Sequence, residues 1–491
     1  MHKTKLVTLF QYLNSREITR FSDYVHSPFY NKHAEVKKLC LYLAKYIPNN
    51  KRQHRLEKER VFKHLYPNKQ FDGNALHSVA SKLLGLLHDF LVITTHEDKK
   101  NQHLIKILAE LRQRKQFKDY NAILRKIERS SDSSYSDIED LYWEKFAYYK
   151  ELDVNFITQG GRSYNENLQM KNDFLDLFFI TKKLKIACDM VSRNKVIGSN
   201  YQYRLVDELF VYLNQQNSSY AQEPTIKIYA ATLKMLLNGD RTDEEYFNVK
   251  QWLEEYQALF SKLELKNIYD YLENHCIRAY KRNTASNKYL RELLSISKFL
   301  VKHEINFVDG FLSAGDFKNI GTIAINLGDY KWAEEFIETY KDALLPEVRE
   351  SVYSYLLSFL LYSTKDYKGA LQALYNVVFS NWTYHTGAKM IQLRIYYELD
   401  EGEALYSLID AFRNYLKRNQ QMTDLDKEMF YNFINVIRKI YKLRDSQGFI
   451  RKEKFQKEVE KLELFFEAAT PIVSKTWLKE AIETIKNQSE Y

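Results

Sequence analysis

The chain is poor in the residues that turn a backbone, with 6 Pro and 14 Gly in 491 residues, against average usages of about 5% and 7%. β-Sandwiches, propellers and Gly-looped nucleotide-binding folds all need Gly and Pro at their turns, so the scarcity excludes them. Cysteine is scarce too: Cys40, Cys188 and Cys276 are each more than 80 residues from the next. That separation leaves no metal-ligand spacing and no disulfide framework, and predicts buried, reduced thiols. The sequence lacks a Gly-rich loop ending in Gly-Lys-Ser/Thr, a Gly-x-Gly-x-x-Gly, a His-Glu-x-x-His and a Gly-x-Ser-x-Gly turn, so neither catalysis nor a cofactor is expected. His77, His88, His96 and His103 are spaced too widely for zinc. Asp137, Glu139, Asp140 and Glu144 read as carboxylates favouring the positive end of a helix rather than as a metal site.

Long apolar runs are missing as well. The longest weakly polar stretch, residues 370–388, carries Gln372, Asn376, Asn381, His385 and Gly387, so no membrane insertion is expected. The first apolar segment is broken by Gln11 and followed by no small-residue cleavage site, which reads as a first helix and not a signal peptide. Cytoplasmic residence is the resulting expectation.

What is present is helical periodicity. Apolar residues recur at spacings of three and four nearly everywhere, and no segment sustains alternation at two; the fold class is therefore all-α. Residues 1–95 read as a small bundle of helices over 3–13, 15–25, 33–46 and 56–66, closed by 74–93 with a buried stripe of Leu76, Val79, Leu83, Leu86 and Phe90. Ser27 to Asn31, with Pro28, ends a helix, and Phe29 and Tyr30 are expected to plug the space between helices. A middle helical region covers 103–217. It has an exposed Ser-rich loop at 130–136, a capping box of Ser136 and Glu139, a helix carrying Leu141, Tyr142, Phe146 and Tyr149, and a break at Gly160 and Gly161. From Pro224 onward, over 224–491, the helices become paired: 225–237 with 243–260, where Thr242 and Glu245 form a second capping box, then 263–280 with 288–303. The closing elements, 427–442, 451–469 and 475–487, cap the end.

Charge is unevenly placed. Residues 1–130 hold 26 Lys and Arg against 12 Asp and Glu, a net of +14, and the formal +9 of the whole chain leaves −5 for the remainder. A basic first quarter suits an acidic partner, nucleic acid among them. The helix over Asn74 to Phe90 would then present His77, Ser78, Ser81 and Lys82.

The sharpest local pattern spans 317–346. Phe317, Ile320, Gly321 and Ala324 share a face of a first helix; Leu327-Gly328-Asp329-Tyr330 turns; Ala333, Ile337 and Tyr340 line a second helix that stops at Pro346. The small Gly321 and Ala333 let these two helices approach. A second unit has its turn at Asp366-Tyr367, with Lys365 in place of the glycine, followed by Ala370, Leu374 and Val377. A third has Asp400, Glu401, Ala404, Leu408 and Ala411. The alanines 333, 370 and 404 lie 37 and 34 residues apart. In its turn, close-packing alanine and period the segment resembles the tetratricopeptide repeat.

That resemblance implies an α-solenoid of stacked antiparallel helix pairs behind the basic bundle, acting as a non-enzymatic scaffold whose concave face holds a protein or peptide partner. On first helices it points to Lys318, Asn319, Asn326, Tyr353, Tyr384, Lys389, Gln392 and Arg394 as binding residues. It assigns repeat packing to Phe317, Gly321, Gly328, Tyr330, Ala333, Tyr367, Ala370 and Ala404. The alternative expectation is a regulator that binds nucleic acid through residues 1–130 while the repeats hold a ligand or partner.

Overall fold

A computed structural model describes residues 1, 4–47, 54–97, 100–129, 137–215, 219–238, 243–283, 286–375 and 381–490. Within them the fold is all-α, with 23 α-helices and one two-residue strand pair, Phe307–Val308 against Phe311–Leu312. The chain divides into two compact units, 1–182 and 183–491. The expected loop at 130–136 and the residues Ser136, Thr242 and Val377 lie outside the described residues. Capping boxes close α-helices instead at Asn14 with Glu17, Ser261 with Glu264 and Thr423 with Asp426.

The first unit holds α1 (Lys5–Gln11), α2 (Ser15–His26), α3 (Ala34–Tyr46), α4 (Lys58–Leu65), α5 (Gly73–Glu97), α6 (Lys100–Gln113), α7 (Phe117–Glu128), α8 (Ile138–Thr158) and the first half of α9 (Glu166–Ile197). Helices α1 to α4 all pack on α5 or on each other. Their core is joined by ring contacts of Phe21 with Phe10 at 5.8 Å and with Phe90 at 5.3 Å. The buried stripe of α5 is Leu76, Val79, Leu83, Leu87 and Phe90, with Leu86 only partly covered. Among the described helices α5 alone is long and apolar enough, over Gly73–Thr94, to cross a membrane by length and composition; in this structure its stripe is the wall of the bundle core.

Two aromatics behave differently from expectation. Phe29 is 84% exposed and Tyr30 46%, so they do not plug the bundle. Asn31 takes the buried place, because its side-chain Nδ2 can donate to the Val25 carbonyl at 3.0 Å and satisfy the end of α2 where a ring cannot. Helix α8 is also unlike its sequence pattern. It buries Tyr142 together with Glu139, Glu151 and Asp153, which are paired with Lys182 at 2.8 Å, Arg112 at 2.7 Å and Lys171 at 2.7 Å, and it leaves Trp143 45% exposed.

The second unit continues through α10 (Val206–Leu213), α11 (Pro224–Asn238), α12 (Glu244–Tyr256), α13 (Lys262–Arg282), α14 (Lys288–Lys302), α15 (Ala314–Asn326), α16 (Tyr330–Tyr340), α17 (Pro346–Ser363), α18 (Tyr367–Tyr375), α19 (Trp382–Glu398), α20 (Gly402–Arg418), α21 (Asp424–Asp445), α22 (Lys452–Ala468) and α23 (Lys475–Glu490). Consecutive helices from α11 to α23 pack on one another, and α11 on α13, α15 on α17 and α17 on α19 add contacts between alternate helices. Pro346 does not stop α16, which ends at Tyr340; it is the first residue of α17. Proline suits that position, since its missing N–H is one that a helix start leaves unpaired and its fixed φ is already helical.

Helices α15, α17 and α19 of this unit close in the same way. Gly328, Lys365 and Asp400 all take left-handed φ, at 77°, 66° and 61°. The next amide donates back across the turn, Asp329 to Ala324 O at 3.0 Å, Asp366 to Leu361 O at 2.8 Å and Glu401 to Tyr396 O at 2.9 Å. This is the closure that satisfies orphan carbonyls at a helix end. It also sets the register. Ala333 and Ala370, each five residues past the left-handed residue, are fully buried; five past Asp400 stands Leu405, also fully buried, whereas Ala404 is only partly covered and Ala411 is exposed. The third unit is therefore offset by one residue from the alanine spacing.

Phe317, Ile320, Gly321 and Ala324 are buried as a face, and Phe317 meets Phe336 of α16 at 5.1 Å. Gly321 serves a different neighbour from the one expected. A β-carbon there would lie 2.4 Å from Leu356 Cδ2 of α17, so its smallness admits α17. Tyr330 is 39% exposed beside the turn, and Tyr367 is partly buried against Tyr362 at 5.9 Å.

A lysine in left-handed backbone carries the steric cost that glycine avoids, about 1–2 kcal/mol, part of which glycine returns as unfolded-state entropy. Lys365→Gly should therefore raise the unfolding free energy of the second unit by about 0.5–1 kcal/mol, and Gly328→Ala should lower it by about 1 kcal/mol. Urea unfolding followed by far-UV circular dichroism checks both.

Candidate functional site

The eight residues expected to bind separate into different environments. Lys318 and Asn319, on α15, line a cavity of about 360 Å³. Its walls come from α13 through Lys266, Glu273 and Ile277, from α14 through Leu293, Ser297 and Leu300, from α15, and from Tyr355 of α17. The size falls in the range of small-molecule and peptide side-chain pockets, about 300–1,000 Å³. Helix α15 packs closely on α17, on α14 and on its partner α16, and the cavity is the space its other side leaves toward α13.

The remaining candidates are committed elsewhere. Asn326 is exposed at the end of α15. The Tyr353 hydroxyl donates to Glu338 Oε1 of α16 at 2.7 Å. The Tyr384 hydroxyl donates to the Ala314 carbonyl at 3.0 Å, and its ring meets Tyr355 edge-on at 5.5 Å. Lys389 donates to Gln392 Oε1 at 3.1 Å within α19. Arg394 is covered by the chain's own C-terminal segment: its guanidinium bonds Ser474 Oγ and lies 5.3 Å from the Trp477 ring centre. Burial lowers the pKa of both Lys389 and Arg394.

Three residues give the cavity its chemistry, and sequence reasoning missed them. Asn306, in the link after α14, is 7% exposed, and its Oδ1 has no hydrogen-bond partner. Glu273 and Asp316 bring carboxylates to the walls. Burial, opposed by the Lys266 ammonium and reinforced by the charges of Asp270 and Asp316, pushes the Glu273 carboxyl up to about 7. Lys266 itself is hydrogen-bonded to Asp270, one helical turn along α13. Burial works to lower its pKa, but that bond and the surrounding carboxylates outweigh it and raise it. Glu273 sits one turn beyond Asp270, and its periodicity is that of any surface glutamate; only the position of α15 makes its side a cavity wall.

A second cluster lies inside the same unit. His275 Nε2 is 3.3 Å from Asp243, which also accepts from Lys288 at 2.6 Å and from the Tyr289 hydroxyl at 3.0 Å. Tyr246 stacks on His275 with ring centres 5.1 Å apart and donates to Glu292 at 2.9 Å. Burial pushes Asp243 up, yet the hydrogen bonds from Lys288, Tyr289 and His275 outweigh it and hold the carboxyl below its ordinary value. The neighbouring Cys276 thiol is buried and pushed up to about 12, which keeps it protonated and unreactive. With His275 and Tyr246 fully enclosed, the cluster ties α13 and α14 to the start of α12.

The first unit offers a different surface. The exposed side of α5 carries His77, Ser78, Ser81, Lys82, His88 and Asp89, and its one lysine is balanced by its one aspartate. Phosphate contact draws on clustered Lys and Arg, which this helix does not present.

Glu273 supplies a test. An acid whose folded pKa is raised holds its proton in the folded chain between about 4.5 and 7, where the unfolded chain has lost it. Stability then falls as pH rises through that window, by at most about 1.4 kcal/mol for each pH unit crossed. Glu273→Gln should match the wild-type melting temperature near pH 4.5 and exceed it at pH 8, by an amount corresponding to about 3 kcal/mol. Melting curves of both chains at the two pH values check this.

No protein-family model matches the chain, and neither the curated proteins nor the solved structures contain a significant match to it.

Proposed function

We propose that residues 224–490 form an α-solenoid of stacked helix pairs, similar to tetratricopeptide repeats, and that the protein is a non-enzymatic scaffold holding an extended peptide of a partner at the cavity beside α13 and α15. The observation that carries this reading is the cavity itself. Ile277, Leu293 and Leu300 give it apolar lining, and Lys318 and Asn319 are among its polar lining. Supporting the stacked-pair reading are the shared left-handed closures at Gly328, Lys365 and Asp400 and the packing of α15 on α17 and of α17 on α19. Such arrays hold partners on an extended surface built by one helix from each pair. A cavity with mixed apolar and polar lining suits one or two residues of an extended chain, since each residue advances about 3.3–3.6 Å.

Thr322 lines the same cavity, and Thr322→Phe fills it without altering charge. Random 12-residue peptides displayed on phage and selected on the full-length protein provide ligands, whose dissociation constants follow from fluorescence anisotropy. Thr322→Phe should weaken the selected peptides at least tenfold while leaving the melting temperature within a few degrees. Peptides that bind the variant as well as the wild type would place binding elsewhere, and a selection that yields none would remove the scaffold reading.

A further inference from the structure

Arg394 of α19 and Asn432 of α21 both hold the chain's own link between α22 and α23. The Asn432 Nδ2 donates to the Pro471 carbonyl at 2.8 Å, and the Arg394 guanidinium bonds Ser474 Oγ and lies 5.3 Å from the Trp477 ring centre. Trp477 meets Tyr397 edge-on at 5.4 Å and Phe433 at 6.2 Å. From the end of α22 at Ala468 to the start of α23 at Lys475 the backbone is not helical. Two helices thus grip an open stretch of chain through a main-chain carbonyl, a hydroxyl and a ring. A side-chain amide that accepts a main-chain carbonyl as partner can hold any extended peptide, since every residue carries one.

The grip is uneven. Ala469 on one side and Leu478, Ala481, Ile482 and Ile485 on the other are buried and fix the two helices. Between them Thr470, Lys475 and Thr476 are exposed, and Pro471 to Ser474 are only partly covered. Among the described residues Arg394 forms no ion pair, and a neutral hydroxyl is a weaker partner for a guanidinium than a charged acceptor.

The gripped stretch also lies on a path out of the cavity. Tyr355, which lines the cavity, rests on Gly387 of α19, where a β-carbon would come within 2.6 Å of its ring. Arg394 stands two turns further along the same face, about 10 Å at 1.5 Å per residue, a distance an extended chain covers in about three residues. We propose that residues 470–477 are a strap that occupies part of the peptide-binding surface, so that a peptide running from the cavity along α19 must displace it. This rests on the peptide-binding reading of the cavity and adds its regulation. A ligand confined to the cavity does not meet the strap. A longer one binds only the fraction of molecules in which the strap has lifted, and its apparent affinity is reduced by that fraction.

The test compares the full-length protein with the double variant Ser474→Gly, Trp477→Ala, using two fluorescent peptides followed by anisotropy. The first carries the strap's own sequence, residues 468–480, and should bind the variant at least tenfold tighter than the wild type, whose seat is filled. The second is a selected 12-residue peptide, which should bind the variant at least fivefold tighter. At saturation it should also speed hydrogen exchange of amides 470–477 in the wild-type chain at least fivefold. Ser474→Gly alone suits the left-handed φ of 57° at that position, and it replaces the double variant if that one does not melt cooperatively. A strap peptide that binds neither chain or both equally, or wild-type strap amides whose exchange is unchanged or slowed by bound peptide, would each overturn the strap. The cavity reading fails separately. Selected peptides that weaken in Thr322→Phe yet bind wild type and strap variant equally uphold the cavity and remove the strap. Selected peptides indifferent to Thr322→Phe remove the cavity and leave the strap peptide to decide on the seat, and a selection that yields none removes both.

Discussion

In the second unit, the turns after α15, α17 and α19 depend on one backbone constraint, the left-handed residue that ends each helix and turns the chain into the next. At that point the last carbonyls have no amide partner within the helix. A single residue with positive φ turns the following amide back to them, as Gly328, Lys365 and Asp400 all do. Glycine takes that conformation without steric strain and other residues do not. A chain with only 14 glycines meets the requirement with non-glycine residues at several turns, Lys115, Glu304, Lys365 and Asp400 among them. The steric cost is local and is offset by the burial of the helix that follows. Ala333, Ala370 and Leu405 all reach zero exposure five residues later.

The same constraint explains what is legible in the sequence. Helices are, because spacing at three and four marks them with no knowledge of neighbours; from α11 to α16 the expected spans lie within a few residues of those observed, apart from the short 3-10 turns that follow α12 and α16. The third unit is misaligned when alanine serves as the landmark. Alanine marks close approach, which a neighbouring change can relieve; the left-handed residue marks the turn, which α15, α17 and α19 all make. At Asp400 the sequence shows an aspartate with nothing to distinguish it, and only its φ of 61° identifies the equivalence. Gly321 is legible as a contact but not as a partner, since helix periodicity gives a face and not the element that covers it.

The cavity is half visible for a related reason. Lys318 and Asn319 are placed by their position on a first helix. Glu273, Asp316 and Asn306 are not, because a polar residue facing a cavity and one facing water share the same spacing. The distinction is made by a second element: α15 lies close enough to enclose the side of α13 that holds Glu273, and the link after α14 brings Asn306 to the same space. Buried carboxylates in the first unit are hidden from sequence in the same way. Glu139, Glu151 and Asp153 become interior only through Lys182, Arg112 and Lys171, cations from other helices whose pairing no local pattern encodes.

Those two sets of carboxylates differ in what their surroundings do for them. Each one on α8 meets a cation at hydrogen-bond distance, so its charge is matched within the fold. Glu273 instead faces Lys266 across a field already claimed by Asp270 and shared with Asp316, and burial together with those neighbours favours its uncharged form. Folding gains nothing from ionising such a group, and a glutamine of the same shape would carry no such cost.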